Sequence, residues 1–550
     1  MLKLIGKYRY EFLFAGILII YLINMFLDVM EVDAAQYANI SMEMSYNKSF
    51  LQVFFRGEDY LDKPPLLFWM SSLSFLLFGI SNFAYKLPSV LILLLGIYST
   101  YRFAKLWYDK KTGMHAALIL ASSQAFFLIT NDVRTDTALV GLVIFSVWQI
   151  SLYIRKGNWI NLILAAFGTG GAMLAKGPIG LVIPAVAIGT DLILKRDWKT
   201  IYKYQWLIFL GIVAVILLPM SYGLFMQFDL HPEKFVYNLQ GPSGLRFYYW
   251  TQSFGRITGE NYWDNDAPFF FFFHTILWDF QPWVLFFIPA IGVGIYRLIK
   301  NRFKVDQNKE FINLSGFILI LLALSLSKFK LPHYIFPIFP FAAIITASYI
   351  INLAENTFIK FGKVIFGILQ LEWVAAALIF VFVFPPHNFL IPSIGICLLG
   401  LTWWIFLKQH GKDRIIVPIL ITAIGFNFIM SMHFYPNLLE YQGTAKAGKL
   451  FREQKNPEDE LYVMLFWENA IDFYARKNTK TLERDQLAGM PTGSWLFTNQ
   501  QGHDEINQFQ LPLKQIAVFD YYKVSALKLK FLNKNTRDMT LRKVYLFERE

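Results

Sequence analysis

Charge is what this 550-residue chain has least of: Asp, Glu, Lys and Arg together make up 16% of it, against 55% hydrophobic residues. Large soluble proteins carry about a quarter charged residues, so this composition excludes a soluble globular enzyme of this length and makes lipid the expected solvent. Cysteine is nearly absent. The single Cys397 lies inside an apolar run, which excludes a disulfide framework or a thiolate metal site within one chain and reads as a buried thiol. No glycine-rich phosphate loop follows a plausible strand, which argues against an ATP-driven machine. No HExxH or comparable metal spacing occurs either, since His231, His274 and His333 are scattered. Internal repeats are lacking too, and the phenylalanine run 269–273 reads as a lipid-facing or core stretch.

Apolar length, by contrast, is plentiful. Runs able to cross about 30 Å of hydrocarbon recur from residue 12 to about 435 and then stop. The net charge of +12 does not indicate a nucleic-acid partner, because the basic residues fall in short clusters between apolar runs. They indicate topology. Lys3, Lys7 and Arg9 precede the first run, 12–27, which sets the N-terminus on the cytoplasmic side and reads as an uncleaved anchor. The clusters at 102–111, 155–156, 195–203, 297–304, 360–363 and 408–414 then all fall inside. Counting runs between them predicts a polytopic α-helical membrane protein of about thirteen transmembrane helices over 1–435. An odd number places the remaining 436–550 outside. There, β-rich runs at 461–466, 495–498, 516–521 and 544–548 alternate with polar helix-like stretches and predict a small soluble α/β domain, read as a packing or acceptor-docking module.

The outer side then receives two long loops, 28–82 and 228–268, and short ones at 131–136, near Lys176 and at 327–333. Within the first, 34–47 reads as a helix lying flat, with Tyr37, Ile40 and Met44 on one face and Glu43 and Asn47 on the wet face. The segment 66–78 is short for a span and follows Pro64-Pro65, so it reads as interfacial or re-entrant. Glu31 and Asp33 stand just beyond the first run. The positive-inside rule disfavours cations in outer loops, yet Arg56, Lys63, Arg134, Lys176, Arg256, Lys328 and Lys330 all map there. Any one of them alone reads as snorkelling to headgroups. Together, with the acids Asp136, Glu260, Asp264 and Asp266 at the same level, they call for an anionic partner such as a lipid phosphate. A carboxylate can take the proton of an attacking hydroxyl, worth about 10² to 10⁴ in rate, while cations stabilise a departing phosphate. No cofactor is required; a divalent metal held by Glu31 and Asp33 stays open. A transporter or flippase of lipid-linked substrates, the alternative reading, calls for ionisable groups at mid-span and repeat symmetry, and the centres of the runs are nearly charge-free. A non-catalytic scaffold for envelope assembly is a third reading.

The stretch Val32-Asp33-Ala34-Ala35-Gln36-Tyr37-Ala38-Asn39-Ile40-Ser41-Met42-Glu43-Met44 resembles the acidic first-loop motif of the GT-C glycosyltransferases, in particular the protein O-mannosyltransferase and lipid A aminoarabinose transferase group. Further similar segments follow in order: Tyr60-Leu61-Asp62-Lys63-Pro64-Pro65-Leu66, Phe83-Ala84-Tyr85-Lys86-Leu87-Pro88-Ser89, Leu174-Ala175-Lys176-Gly177-Pro178 and Ser327-Lys328-Phe329-Lys330-Leu331-Pro332-His333-Tyr334. The resemblance implies a GT-C catalytic domain that moves a hexosyl or pentosyl group, with inversion, from a polyprenyl-phosphate donor. The acceptor it implies is an envelope lipid, glycan or protein on the periplasmic face of a bacterial inner membrane. It further implies that Asp33 is the essential acid, that Lys63 meets the donor phosphate or an acceptor anion, and that Lys330, His333 and Tyr334 lie near the same pocket, with Asp136 a looser match. Two positions depart from the pattern. Ala34 stands where many relatives have Glu and Gln36 where Arg is usual, so Glu31 becomes a candidate substitute and the acceptor stays open.

Overall fold

The computed structural model describes residues 8–255, 260, 265–304, 306–385, 389–456, 458–509 and 511–550. Nine of its described helices are long and apolar enough to cross a membrane, from Arg9–Phe26 to Asp413–Leu439, or ten if the bent pair Lys110–Ala121 and Gln124–Asn131 forms one span. The sequence count of about thirteen stands above both figures. Three more apolar helices, Leu66–Phe78, Ile179–Leu194 and Ile312–Ser325, fall short of 18 residues. At 1.5 Å per residue they reach only about 20–24 Å.

Between helices in lipid, close backbone approach replaces hydrophobic burial as the source of contact. Gly96 on Asn82–Trp107 and Gly141 on Thr135–Lys156 meet so closely that a Cβ at Gly141 would lie 2.2 Å from the Ile92 carbonyl oxygen. On the other face of the second of these helices, Ser146 and Thr169 share a hydrogen bond of 2.7 Å. Helix starts carry the expected caps, with Ser81 accepting from the Ala84 amide at 3.2 Å and Asp109 from the Thr112 amide at 2.7 Å. The end of the first span is closed by a side chain instead. Lys86 is wholly buried and donates to the carbonyls of Asn24 and Leu27 at 3.0 and 2.9 Å, which a helix end otherwise leaves unpaired.

Three short elements follow within 28–82. The helix Asp33–Asn47 corresponds to the one expected at 34–47, but Glu43, placed by sequence on the wet face, is buried because the C-terminal region covers that side. A hairpin pairs β1 (Phe54–Phe55) with β2 (Glu58–Asp59). Its turn residues Arg56 and Gly57 have φ of 57° and 80°, the left-handed pair that a two-residue hairpin demands. Helix Leu66–Phe78 then returns to the bundle. The second long loop holds a similar hairpin, β3 (Phe235–Val236) with β4 (Leu239–Gln240).

The last span runs on as helix to Leu439, past the boundary expected at 435. Beyond it, β5 (Leu461–Met464), β6 (Lys480–Thr481), β7 (Trp495–Asn499), β8 (Leu513–Tyr521) and β9 (Arg542–Arg549) form one sheet in the order β6-β5-β7-β9-β8. The first three are parallel and the last two join antiparallel. The short edge strand β6 has no alternating pattern and was not expected. Helix Asn469–Ala475, which connects β5 to β6, packs on Asp33–Asn47. A second anchor is Arg537, buried with its guanidinium on the Val383 and Phe531 carbonyls and 4.4 Å over the Phe384 ring.

Candidate active site

Asp33 is the first residue of its helix, and its carboxylate is paired with the guanidinium of Arg134. Arg134 occupies the turn between Gln124–Asn131 and Thr135–Lys156, where its Nε and Nη2 both hold Asp132 at 2.8 Å. Burial works against the charge of this guanidinium, but Asp132 and then Asp33 more than offset it and raise its pKa above the usual arginine value. Two residues on, Asp136 is buried and accepts from Lys176, the last residue of Trp159–Lys176. His333 Nε2 lies 3.7 Å from the other Asp136 oxygen, and the Lys176 ammonium sits 4.0 Å over the ring of Tyr334. Lys63, just after the first hairpin, pairs with Asp62 at 2.6 Å. Asp62 in turn accepts from Gln252 of the second loop, which ties the two long loops together. Between these groups lies the phenol of Tyr37. Burial, then Asp33 and Asp62, push its pKa well up, so it stays neutral and able to donate.

All of these side chains except Asp132 line a cavity of about 350 Å³. Its polar wall carries the carboxylates of Asp33, Asp62 and Asp136 and the cations of Lys63, Arg134 and Lys176. Leu139, Ile179, Val182 and Leu324, on three of the helices, form its apolar wall. Such a site can take a molecule with an anionic end and a hydrocarbon end.

Of the residues singled out by sequence, Asp33, Lys63, Arg134, Asp136, Lys176, His333 and Tyr334 line this cavity together. Lys330 is buried beside it, with its ammonium donating to the Ala267 carbonyl at 2.8 Å and its backbone held by Asn265. Lys328 is exposed and does not line the cavity, and Arg256 lies outside the described residues. Arg56 belongs to the hairpin turn and reaches the C-terminal region. Glu31 turns away from Asp33: its oxygens accept from the Ala470 amide and, at 3.1 Å, from Asn469 Nδ2. Burial, then Glu468, raise its pKa to about 8. This corrects the expectation that Glu31 acts beside Asp33 as a second acid or metal ligand. Among the described residues no three His, Cys, Asp or Glu side chains are grouped so as to hold a metal ion. Sequence reasoning missed Asp62, Asp132, Tyr37 and Gln252 as site residues. The first three stand in stretches already singled out, next to or near Lys63, Arg134 and Asp33; nothing in the sequence marks Gln252.

Residues 62–222 match the family model described as dolichyl-phosphate-mannose-protein mannosyltransferase. In sequence, the chain is 25% identical over 513 residues to an uncharacterised protein of Aquifex aeolicus, covering 90% of this chain and 94% of that one. It is 26% identical over 505 residues to the undecaprenyl phosphate-alpha-4-amino-4-deoxy-L-arabinose arabinosyl transferase of Wigglesworthia glossinidia, covering 86% and 84%. Other relatives of that name are matched over 56% or 62% of their length. In fold, the chain superposes on ArnT from Cupriavidus metallidurans with a TM-score of 0.75 in the apo state, over 98% of both chains at 16% identity. The form of that protein bound to undecaprenyl phosphate gives a TM-score of 0.72, over 98% of this chain and 97% of that one at the same identity. The chain is thus a multi-span membrane protein with a GT-C glycosyltransferase fold, similar in sequence to the mannosyltransferase and aminoarabinose transferase group.

Proposed function

We propose that the chain transfers a sugar from a polyprenyl-phosphate donor to an acceptor at the membrane surface, with the donor phosphate on the polar wall of the cavity and the polyprenyl chain along the apolar wall. One observation carries this reading: Asp33, Lys63, Arg134 and Lys176, from four separate segments, converge on a single cavity that also has a hydrocarbon-lined side. The match to a family named for dolichyl-phosphate-mannose and to relatives named for an undecaprenyl-phosphate sugar supports the donor class.

In the reaction, the acceptor nucleophile attacks the anomeric carbon, the bond from that carbon to the phosphate oxygen breaks, and the phosphate leaves with the electron pair. Asp33 takes the acceptor proton, with Arg134 holding the carboxylate in place. Lys63 and Lys176 meet the charge that builds on the departing phosphate, where fixed cations in a partly dry site are most effective. Phosphate needs no protonation to depart, so one displacement suffices and the sugar inverts. The cavity end carrying Asp33 faces the periplasm of a bacterial inner membrane, a reading supported by the basic clusters, whose sign suits the cytoplasmic side. Acceptor and sugar identity are read by mass spectrometry of envelope lipids, glycans and glycoproteins from cells with and without the protein. A hexose or pentose adduct that disappears on deletion and is not restored by Asp33→Asn supports the proposal; full restoration by that variant overturns the role of Asp33.

A further inference from the structure

Both chain segments that lead into the cavity are fastened by the C-terminal region, the first by Gln442 and by the helix Asn469–Ala475, the second by that same helix and its surroundings. The turn ahead of Asp33 has several of its backbone groups satisfied from there, beside the local bonds of the Met30 and Val32 carbonyls to the Ala35 and Gln36 amides. Val29 N–H donates to the Tyr474 hydroxyl at 2.8 Å, the Val29 carbonyl accepts from Gln442 Nε2 at 3.2 Å, and Glu31 N–H donates to Gln442 Oε1 at 2.8 Å. Asn469 Nδ2 reaches the Val32 carbonyl at 3.3 Å as well as the Glu31 carboxylate, which also caps the Ala470 amide. Backbone groups of a buried turn must find partners somewhere. Here they find them on a segment more than 400 residues later in the chain.

The second segment, ahead of Asp62 and Lys63, is gripped in the same way. Arg56 at the hairpin tip donates from Nη2 to the Thr479 carbonyl at 2.5 Å, lies 3.7 Å from the Asp472 carboxylate and stacks 4.3 Å over Trp467. The amides of Arg56 and Gly57 both donate to Glu43, at 2.6 and 2.8 Å, and Glu43 also accepts from Asn478 at 3.2 Å. Asn469, Ala470, Asp472 and Tyr474 belong to one helix, Asn469–Ala475, and Asn478 and Thr479 to the loop leaving it.

We propose that this helix and its following loop position the site, with Glu31 and Arg56 as the positioning residues that carry the restraint to Asp33 and to Asp62–Lys63. Neither touches the cavity; Glu31 sits two positions before Asp33, and Arg56 six and seven positions before Asp62 and Lys63, which do. The C-terminal region is therefore a template for the geometry of the first loop. The proposal rests on the reading of Asp33 and Lys63 as residues of the reacting site.

The test uses the full-length protein in detergent, with hydrogen exchange read over 29–37, 53–66 and the β5–β9 sheet, and undecaprenyl phosphate titrated as the probe. Arg56→Ala speeds exchange in 53–66 about tenfold and weakens undecaprenyl phosphate binding about 5–10-fold, while the sheet keeps its wild-type rates, because small misplacements of binding groups are costly. Arg56→Lys, which keeps a donor for Thr479 and a charge for Asp472, restores most of both. Glu31→Ala does the same to 29–37. Wild-type exchange and binding in Arg56→Ala and Glu31→Ala overturn the proposal, as does loosening of the whole sheet by both, which marks a plain folding role. If Arg56→Ala does not accumulate, Arg56→Lys and Asn469→Ala decide by the same readouts. Failure of the wild-type protein to bind undecaprenyl phosphate overturns the lipid-phosphate reading instead, and the exchange data alone then decide the positioning one.

Discussion

Access separates the carboxylates of the cavity more than identity does. The Asp33 side chain is 35% exposed, whereas Asp136 is 2% exposed and locked between Lys176 and His333. Of these two, Asp33 is the one open to an incoming acceptor. Asp33→Asn is accordingly expected to lower transfer by about 10² to 10⁴ while leaving thermal stability near wild type, measured on the purified protein. Asp136→Asn leaves a largely buried ammonium without its charge partner, and its unfolding midpoint falls by the equivalent of about 3 kcal/mol. Glu31 gives a pH signature. Its folded-state pKa of about 8 stands above the ordinary value of 4.5. The stability it contributes is therefore full below about pH 4.5 and is lost as pH rises through 8. A thermal unfolding midpoint that falls as pH rises from about 4.5 to about 8 and then levels off, and a flatter profile in Glu31→Gln, is the expected result. The charged residues of the site were legible in sequence because cations on the outer side of a membrane protein are out of place. The orientation of Glu31 was not, because the partners that turn it lie at Asn469 and Ala470, beyond any local pattern.

Local elements of the first loop were legible down to their ends where composition alone fixes them. Leu66–Phe78 begins at the residue after Pro64-Pro65 and stops at Gly79 with φ of 75°, a start and a stop that proline and glycine write into the sequence. The total number of spans was less legible, since Ile179–Leu194 and Ile312–Ser325 are apolar helices that differ from the nine longer ones in length. Nor could an apolar pattern show which helices touch through glycine. Gly141→Val places methyl groups against the Ile92 carbonyl, and overpacking of this kind costs about 1–3 kcal/mol or more. A drop in detergent-extracted folded yield and in unfolding midpoint checks it; Gly189→Ala, where a Cβ meets nothing within 4 Å, serves as the control.

At the scale of the whole molecule, the membrane bundle and the C-terminal sheet meet over the first loop, and the proposed orientation puts that loop and the sheet on the periplasmic side. In a Cys397→Ser background, a cysteine at exposed Asn507 is expected to react with an impermeant maleimide in intact spheroplasts. One at exposed Lys199 is expected to react only after lysis. The division into bundle and sheet follows from composition, but their contact surface does not, because Glu43 reads as the wet face of a flat helix and Arg56 as one more outer cation until their partners are known. That surface makes the helix Asp33–Asn47 a ruler. Asp33 stands at one end and Glu43, which fixes the hairpin before Lys63, stands ten residues along it, a separation of about 15 Å at the helical rise. The spacing from acid to lysine is thus set by a count of residues, and one alanine inserted between them turns the two ends by about 100° relative to each other. Length in this segment is therefore under a constraint of its own, separate from the one on the side chains of Asp33, Tyr37 and Glu43: a rod with the same contacts and one residue more or fewer no longer joins the two ends in register.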